Sequence, residues 1–178
     1  MRGVSIRPTT PADAPAILEV HRAAASNGGG LAREPDEMDL AGIEAALARP
    51  FANGVALIAF IDGKAVGEIH ASRLGPRQFD HNLTDLTIAV HPDAQGRGVG
   101  AALFEALFVE AGKLTPAIER VELFCREGNT HAVRLYRRLG FEIEGRFPRR
   151  VRLKDGTVDD DLAMARRLPG GDSRSGRG

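Results

Sequence analysis

Apolar positions recur in this chain with two rhythms, and the switches between them divide it into strands and helices. Alternating or continuous apolar runs predict strands over 4–7, 55–61, 65–74, 83–90, 120–125, 141–147 and 157–165. Between them, apolar side chains spaced three or four apart predict helices. The first follows Thr10, a suitable cap, and Pro11 in the opening turn; Ile17, Leu18 and His21 share its face. The second covers 37–48, with Leu40, Ile43 and Leu47 as its stripe. The third runs from Val99 to about Ala111 and buries Val99, Leu103 and Leu107, with Leu114 beyond it. The fourth covers 130–139, with Ala132, Leu135, Tyr136 and Leu139 on one face and Gly140 placed to end it.

The connections carry turn chemistry. Ser26-Asn27-Gly28-Gly29-Gly30 breaks the first helix into a flexible loop, and Asp62-Gly63 is a two-residue hairpin signal. Residues 75–82 read as a loop, and Lys154-Asp155-Gly156 joins the last two strands. No internal repeat divides the chain, so 1–168 reads as one domain, followed by a Gly-, Ser- and Arg-rich tail (169–178) expected to be disordered. From Asp85 to Cys125 the order is strand, helix, strand, which requires a right-handed crossover between two parallel strands. The hairpins on either side require antiparallel neighbours. The fold class is therefore α/β, with a mixed sheet of about seven strands and about four helices.

Composition narrows the function. The 178 residues are 43% hydrophobic, enough for a sizeable core. Lys+Arg and Asp+Glu number 24 each, which argues against a general nucleic-acid or membrane-surface binder. Cys125 is the single cysteine; it excludes an intramolecular disulfide and a cysteine metal cluster, and reads as a small buried hydrophobe. His21, His81, His91 and His131 lack metal-ligand spacing, so no metal is expected. No apolar stretch reaches the roughly 18 residues of a membrane span, and the N-terminus lacks a signal-peptide core. A cytoplasmic setting is the expectation.

The chemistry concentrates at Gln95-Gly96-Arg97-Gly98-Val99-Gly100, between a strand and a helix. Unpartnered amides and the dipole at a helix N-terminus attract anions, and glycines let a phosphate approach the backbone. A P-loop would need Gly-Lys-Ser/Thr, whereas Ala101-Ala102 follows Gly100. Gly96, Gly98 and Ala101 formally satisfy the dinucleotide fingerprint. Yet His91-Pro92-Asp93-Ala94-Gln95 separates them from the strand, and no convincing ribose-binding acid follows; Glu127 is loosely placed. A turn that merely starts a helix would hardly spend three alternate glycines.

The pattern Gln-x-x-Gly-x-Gly/Ala resembles the acetyl-CoA pyrophosphate loop of the GNAT superfamily of N-acyltransferases. A second stretch, from Asn129-Thr130-His131-Ala132 through Tyr136 to Gly140-Phe141, is similar to that family's other CoA-side motif, about 30 residues further on. The likeness extends over roughly 4–168. The closing segment, from Gly140-Phe141-Glu142 to Lys154-Asp155-Gly156 and Met164-Ala165-Arg166, is similar to a bacterial branch that acetylates amino acids and small amines.

The resemblance implies a sheet whose parallel strands splay at the CoA site. Pantetheine would lie along Ile88, Ala89 and Val90, with a backbone N–H near Val90 binding the thioester oxygen. The diphosphate would sit on Gln95, Gly96, Arg97, Gly98, Val99 and Gly100, and Asn129 would contact CoA while capping its helix. Tyr136, the only tyrosine, would protonate the departing thiolate. For the base, Asp85 ranks first and Glu68 second, with His70 on the same side of Glu68's strand. Acceptor contacts would come from 26–34 and 147–158. Arg146, Arg149, Arg150 and Arg152 in or beside the latter either suit an anionic acceptor or are balanced by Asp159, Asp160 and Asp161. The implied reaction is acetyl transfer from acetyl-CoA to a small amine such as an amino acid. The alternatives are a protein N-terminus or lysine as acceptor, or a CoA-binding sensor without turnover. Homodimers are common in the family, but no residue here argues for one.

Overall fold

A computed structural model of the protein describes residues 3–28 and 30–169. Apart from Pro169, the tail expected to be disordered lies outside the described residues, as does Gly29 of the glycine loop. Seven strands form one sheet: β1 (Ser5–Pro8), β2 (Gly54–Ile61), β3 (Lys64–Ser72), β4 (Asn82–Val90), β5 (Arg120–Arg126), β6 (Glu142–Arg152) and β7 (Val158–Arg167). Their spatial order is β1-β2-β3-β4-β5-β7-β6, so the last hairpin folds back with β7 inside and β6 at the edge. Pairing is antiparallel except between β4 and β5.

Helices cover both faces. On one, α1 (Ala14–Ser26) and α2 (Leu40–Asn53) bury Ile17, Ile43 and Leu47 against Ala56 and Ile58 of β2. On the other, α3 (Val99–Ala111) buries Leu103, Phe104 and Leu107 against Val55, Leu57 and Ile69, and α4 (Thr130–Arg138) adds Tyr136 to that core. Burial on both faces explains why β2 reads as a continuous apolar run. Asp62 and Gly63 turn the β2–β3 hairpin with φ of 51° and 77°, both left-handed, as a type I′ turn requires.

Two elements differ from the sequence expectation. The second helix begins three residues later, at Leu40, where the Asp39 carboxylate accepts from the Gly42 amide at 2.7 Å, and it continues to Asn53. Pro50 marks a break in the sequence, yet in the last turn it forgoes a single backbone bond and its buried ring packs inward. Similarly, β6 extends to Arg152 rather than Phe147. Pro148 is tolerated on an edge strand, and a bulge between Phe147 and Val151, with Arg149 at φ 57°, absorbs the irregularity.

Candidate active site

The site begins with a failure of pairing. β4 and β5 meet only at Asn82–Arg120 and Leu83–Val121; beyond that, β5 stays with β7 and β4 stays with β3. The divergence starts at a bulge in β4. Ser72 pairs with Thr84 but His70 with Thr87, so β4 carries one extra residue there, and Asp85 sits in it at φ 49°. A bulge bends its strand and resets the alternation. Further along, the His91 amide donates to the Val66 carbonyl of β3 at 2.8 Å. Antiparallel alternation then turns the amides and carbonyls of Ile88 and Val90 away from β3, into the gap. An extended ligand could add there as a strand would.

A cleft of about 490 Å³ passes through this gap from one face of the sheet to the other. On the α3–α4 side its walls include Gln95, Gly100, Asn129, Leu135 and Tyr136; on the α1–α2 side they include His21, Met38, Ile43, His70 and Asp85. Ile88, Val90, Leu123 and Cys125 line the passage between. The glycine loop opens on the first side. Gly96 and Gly98 have φ of 72° and 79°, and Gly98 precedes α3 in the left-handed region that a side chain would strain. The first amide returned to the helix is that of Ala102, which donates to the Gly98 carbonyl at 3.0 Å. The amides of Val99, Gly100 and Ala101 therefore have no intrahelical partner. Arg97 is exposed and ion-pairs with no described residue. Bare amides, a helix N-terminus and an exposed guanidinium are the donor set a diphosphate requires.

Asn129 caps α4 through its Oδ1, which accepts from the Ala132 amide at 3.3 Å. One helical face further on, Tyr136 is 7% exposed, edge-on to Phe104 with centroids 5.5 Å apart. Its hydroxyl bonds no described residue. Burial raises its pKa above the ordinary phenol value, with the neighbouring Cys125 adding to the effect, so it stays a neutral donor. The Cys125 thiol is pushed up to about 11, chiefly by burial. It is a neutral wall of the passage, as a small buried hydrophobe should be.

The acceptor half holds the two carboxylates in very different settings. Asp85 opens onto the cleft with 55% of its side chain exposed and pairs with Arg49 of α2 at 2.7 Å. Glu68 has no exposed surface: Oε2 lies 2.8 Å from His21 Nε2 and Oε1 lies 2.9 Å from His70 Nδ1. Burial alone would raise its pKa, but His70 and His21 reverse that and bring it to about 2. For His70, burial opposes the charge, and the Glu68 and Asp85 carboxylates outweigh it, so its pKa is raised. Glu68 thus reaches the cleft only through imidazoles. His21 was legible merely as a helix-face residue; no spacing signal links positions 21 and 68.

Residues 27–28 and 30–33 border this half. Gly28, Gly30, Leu31 and Arg33 line the cleft, and the backbone at Gly30 passes so close to the Asn129 amide that a side chain would collide with it. Lys154, in the β6–β7 turn, pairs with Glu34 at 2.6 Å and ties the hairpin to the same loop. Two of the four hairpin arginines are paired with carboxylates. Arg146 pairs with Glu127 at 2.6 Å and Asp160 at 2.8 Å. Arg150 reaches Asp161 at 3.4 Å and lies over the adjoining Phe124 and Phe147 rings. Asp160 and Asp161 thus balance Arg146 and Arg150, whereas Asp159 pairs with Arg126 at 3.4 Å and Arg152 donates to the Gly156 carbonyl at 3.3 Å. Among the described residues no cluster of His, Cys, Asp and Glu could hold a metal, and no helix is long and apolar enough to cross a membrane.

A splayed parallel pair, a glycine-opened helix and a neutral phenol on one passage define an acyl-CoA-dependent transferase. Comparison with known proteins makes the class specific: residues 17–141 match the acetyltransferase (GNAT) family, and the chain belongs to it. It is 32% identical over 111 residues to the L-amino acid N-acetyltransferase AaaT of Escherichia coli, covering 62% of this chain and 66% of that one. It is 31% identical over 150 residues to an L-methionine sulfoximine/L-methionine sulfone acetyltransferase of Pseudomonas aeruginosa, covering 81% and 83%. In fold it is similar to a phosphinothricin acetyltransferase of Sinorhizobium meliloti solved with acetyl-CoA (TM-score 0.85, 23% identity, 99% and 94% covered). A ribosomal-protein-alanine N-acetyltransferase of Brucella melitensis is also similar (TM-score 0.79, 28% identity, 92% and 99% covered).

Proposed function

We propose that this chain transfers the acetyl group of acetyl-CoA to the amine of a small molecule, an L-amino acid or a close analogue, within a single domain spanning 1–168. The observation that carries this reading is the close approach of the Gly30 backbone to Asn129, with Gly28, Leu31 and Arg33 lining the acceptor half beside it. A cleft narrowed there suits a small amine, whereas a peptide needs an open groove. The amino-acid and methionine-sulfone acetyltransferases among its relatives agree with this choice. The cytoplasm, where a lone thiol such as Cys125 stays reduced, is the setting we propose.

Acetyl-CoA supplies an activated acyl group and a thiolate leaving group. The chain's part is to hold and polarise. The amides from Gly96 to Gly100 and Arg97 take the diphosphate, with Gln95 and Asn129 beside it. Ile88, Ala89 and Val90 give the pantetheine an edge to pair with, and the Val90 amide is the oxyanion donor. Preorganised donors of this kind contribute about 3–4 kcal/mol. Tyr136 supplies the proton that the thiolate needs. Of the carboxylates, Asp85 faces the cleft directly, whereas Glu68 can act only through an imidazole.

Thiol release from acetyl-CoA across an acceptor panel tests the reading. The panel holds L-amino acids, L-methionine sulfone, L-methionine sulfoximine, phosphinothricin, an alanine-ended peptide and a lysine peptide. Release with one or more small amines is expected. Release with peptides alone would replace this reading with a protein acetyltransferase. Tight CoA binding without acceptor-dependent release would leave a sensor.

A further inference from the structure

An acceptor ammonium must lose a proton before its nitrogen can attack. The buried Glu68 carboxylate is tolerated because both its oxygens are bonded to imidazoles. Those bonds fix tautomers. His70 must present Nδ1–H to Oε1, so the lone pair of the neutral ring sits on Nε2, away from Glu68. His70 lines the cleft, and Glu68 does not. We infer that His70 is the catalytic base, its Nε2 taking the proton from the acceptor's ammonium, with Glu68 and His21 as positioning residues behind it. This role rests on the amine-acetyltransferase reading.

The surroundings suit the role. Glu68 faces His70 from β3, His21 stands on α1 across the shared carboxylate, and Asp85 acts on it from β4 with Arg49 of α2 paired to that aspartate. On its other neighbours the environment is uncharged: β2 places Ala56 opposite His70, and β4 places Thr87 there. The net field is negative, which agrees with the raised pKa of the ring. Asp85, by contrast, is half in solvent and committed to a guanidinium. Imidazole is also the side chain whose proton affinity matches neutral pH.

The protons balance. The ammonium gives one to His70 Nε2, which passes it to water. The amine then forms the C–N bond as the C–S bond breaks. The second proton lost from nitrogen equals the one Tyr136 hands to the thiolate, so one proton is released per amide made.

The test pairs the pH profile of kcat/KM with an NMR titration of the histidine rings, which needs no acceptor. L-methionine sulfone is the acceptor, or the best amine of the panel if it is not turned over. The acidic limb of the wild type should lie above pH 6.5 and coincide with the titration of the His70 ring. Glu68→Gln should move both down by about one unit. His70→Gln should abolish the limb and lower kcat/KM by about a hundredfold or more. Its acetyl-CoA affinity should change by no more than about twofold, because the diphosphate seat lies on the other side of the sheet. Asp85→Asn should lower the limb without removing it. The inference is overturned if His70→Gln keeps the limb, if Asp85→Asn removes it, or if the wild-type ring titrates at or below 6.5 and Glu68→Gln leaves it unmoved. Should Glu68→Gln not fold, the wild-type titration and the His70→Gln profile decide. A wild type that acetylates no amine refutes the amine-acetyltransferase reading instead, a result distinct from an active wild type with an indifferent His70.

Discussion

Replacing Tyr136 with Phe removes one oxygen and nothing else. The ring stays edge-on to Phe104 and close to Phe141, and the lost hydroxyl bonds no described residue. No buried partner is orphaned, so stability should change by less than about 0.5 kcal/mol, or about 1–2 °C in Tm for a chain of this size. Catalysis should respond differently. A thiol has an ordinary pKa of about 8.5, and burial in a largely apolar passage raises it. A thiolate leaving into that environment is a stronger base than in water and takes a proton more readily. Losing its donor should cost at least about tenfold in kcat, or about 1.4 kcal/mol of barrier, and up to about a hundredfold. Acetyl-CoA affinity, measured by calorimetry, should stay within about twofold of the wild type, since the hydroxyl acts on charge that develops only during reaction. Acetyl thioesters with more acidic thiols provide the discriminating assay. Their leaving groups need less protonation, so the loss in kcat should shrink with falling thiol pKa. An unchanged kcat with acetyl-CoA, or a loss independent of the leaving group, would refute Tyr136 as the acid.

Gly98→Ala forces a side chain into the left-handed position before α3 and should cost about 1 kcal/mol of stability by chemical denaturation. It should also weaken CoA binding by about tenfold or more as the loop amides are displaced. Glu68→Gln should flatten the pH dependence of stability. The folded pKa of Glu68 is lowered to about 2, so its contribution is present above about 4.5 and lost as pH falls through 2. The folded pKa of His70 is raised, so its contribution is present below 6.5 and lost as pH rises through the folded value. The wild-type cluster should therefore stabilise most between pH 4.5 and 6.5, by about 3 kcal/mol, and urea midpoints across that window should show the variant losing the maximum. Gly30→Ala should push the backbone at residue 30 off Asn129 and raise KM for the acceptor by about tenfold or more, with thiol release at saturating acceptor less affected. An acceptor KM equal to that of the wild type would count against a role for that contact.

What could be read in the sequence was local. The strand, glycine loop and helix around Gln95–Gly100 occupy one continuous stretch, 82–111, and the Asn129–Gly140 helix another; turn chemistry and period alone position them. Long-range pairings were not legible. Nothing in the sequence ties His21 to Glu68, 47 residues away, or Arg49 to Asp85, 36 away. Each contact exists because α1 and α2 lie over one face of the sheet, and that is a property of topology. The sequence ranks Asp85 ahead of Glu68 as an acid on neighbouring strands, but carries no measure of their burial. Burial separates them, and burial on β3 is set by which helix covers it. Local exceptions were hidden too: Pro50 inside a helix and Pro148 in an edge strand both carry a breaker's signature where the context removes the penalty.

The bulge at Asp85 connects both halves of the site. Without the extra residue, β4 would continue alongside β5 and the sheet would close. No passage would then link the glycine loop on one face with His70 on the other. Beyond the bulge, the pairing that runs from His70–Thr87 to the His91 amide on Val66 leaves the amides and carbonyls of Ile88 and Val90 facing the gap and not β3. Asp85 also meets the left-handed φ at modest cost, because Asp and Asn tolerate that region better than other side chains. Its carboxylate is meanwhile anchored to Arg49, which also donates to the Arg73 carbonyl at 2.9 Å and so pins the bulge to α2 and the end of β3. Deleting Asp85 should therefore do more than remove a charge. It should restore the β4–β5 ladder and engage the Ile88 and Val90 amides with β5. CoA binding and acetyl transfer should then both be abolished, whereas Asp85→Asn keeps the bulge and retains CoA binding. Hydrogen exchange at the Ile88 and Val90 amides distinguishes the two: protected in the deletion, fast in the substitution. If the deletion leaves those amides unprotected, the bulge is not what holds the strands apart.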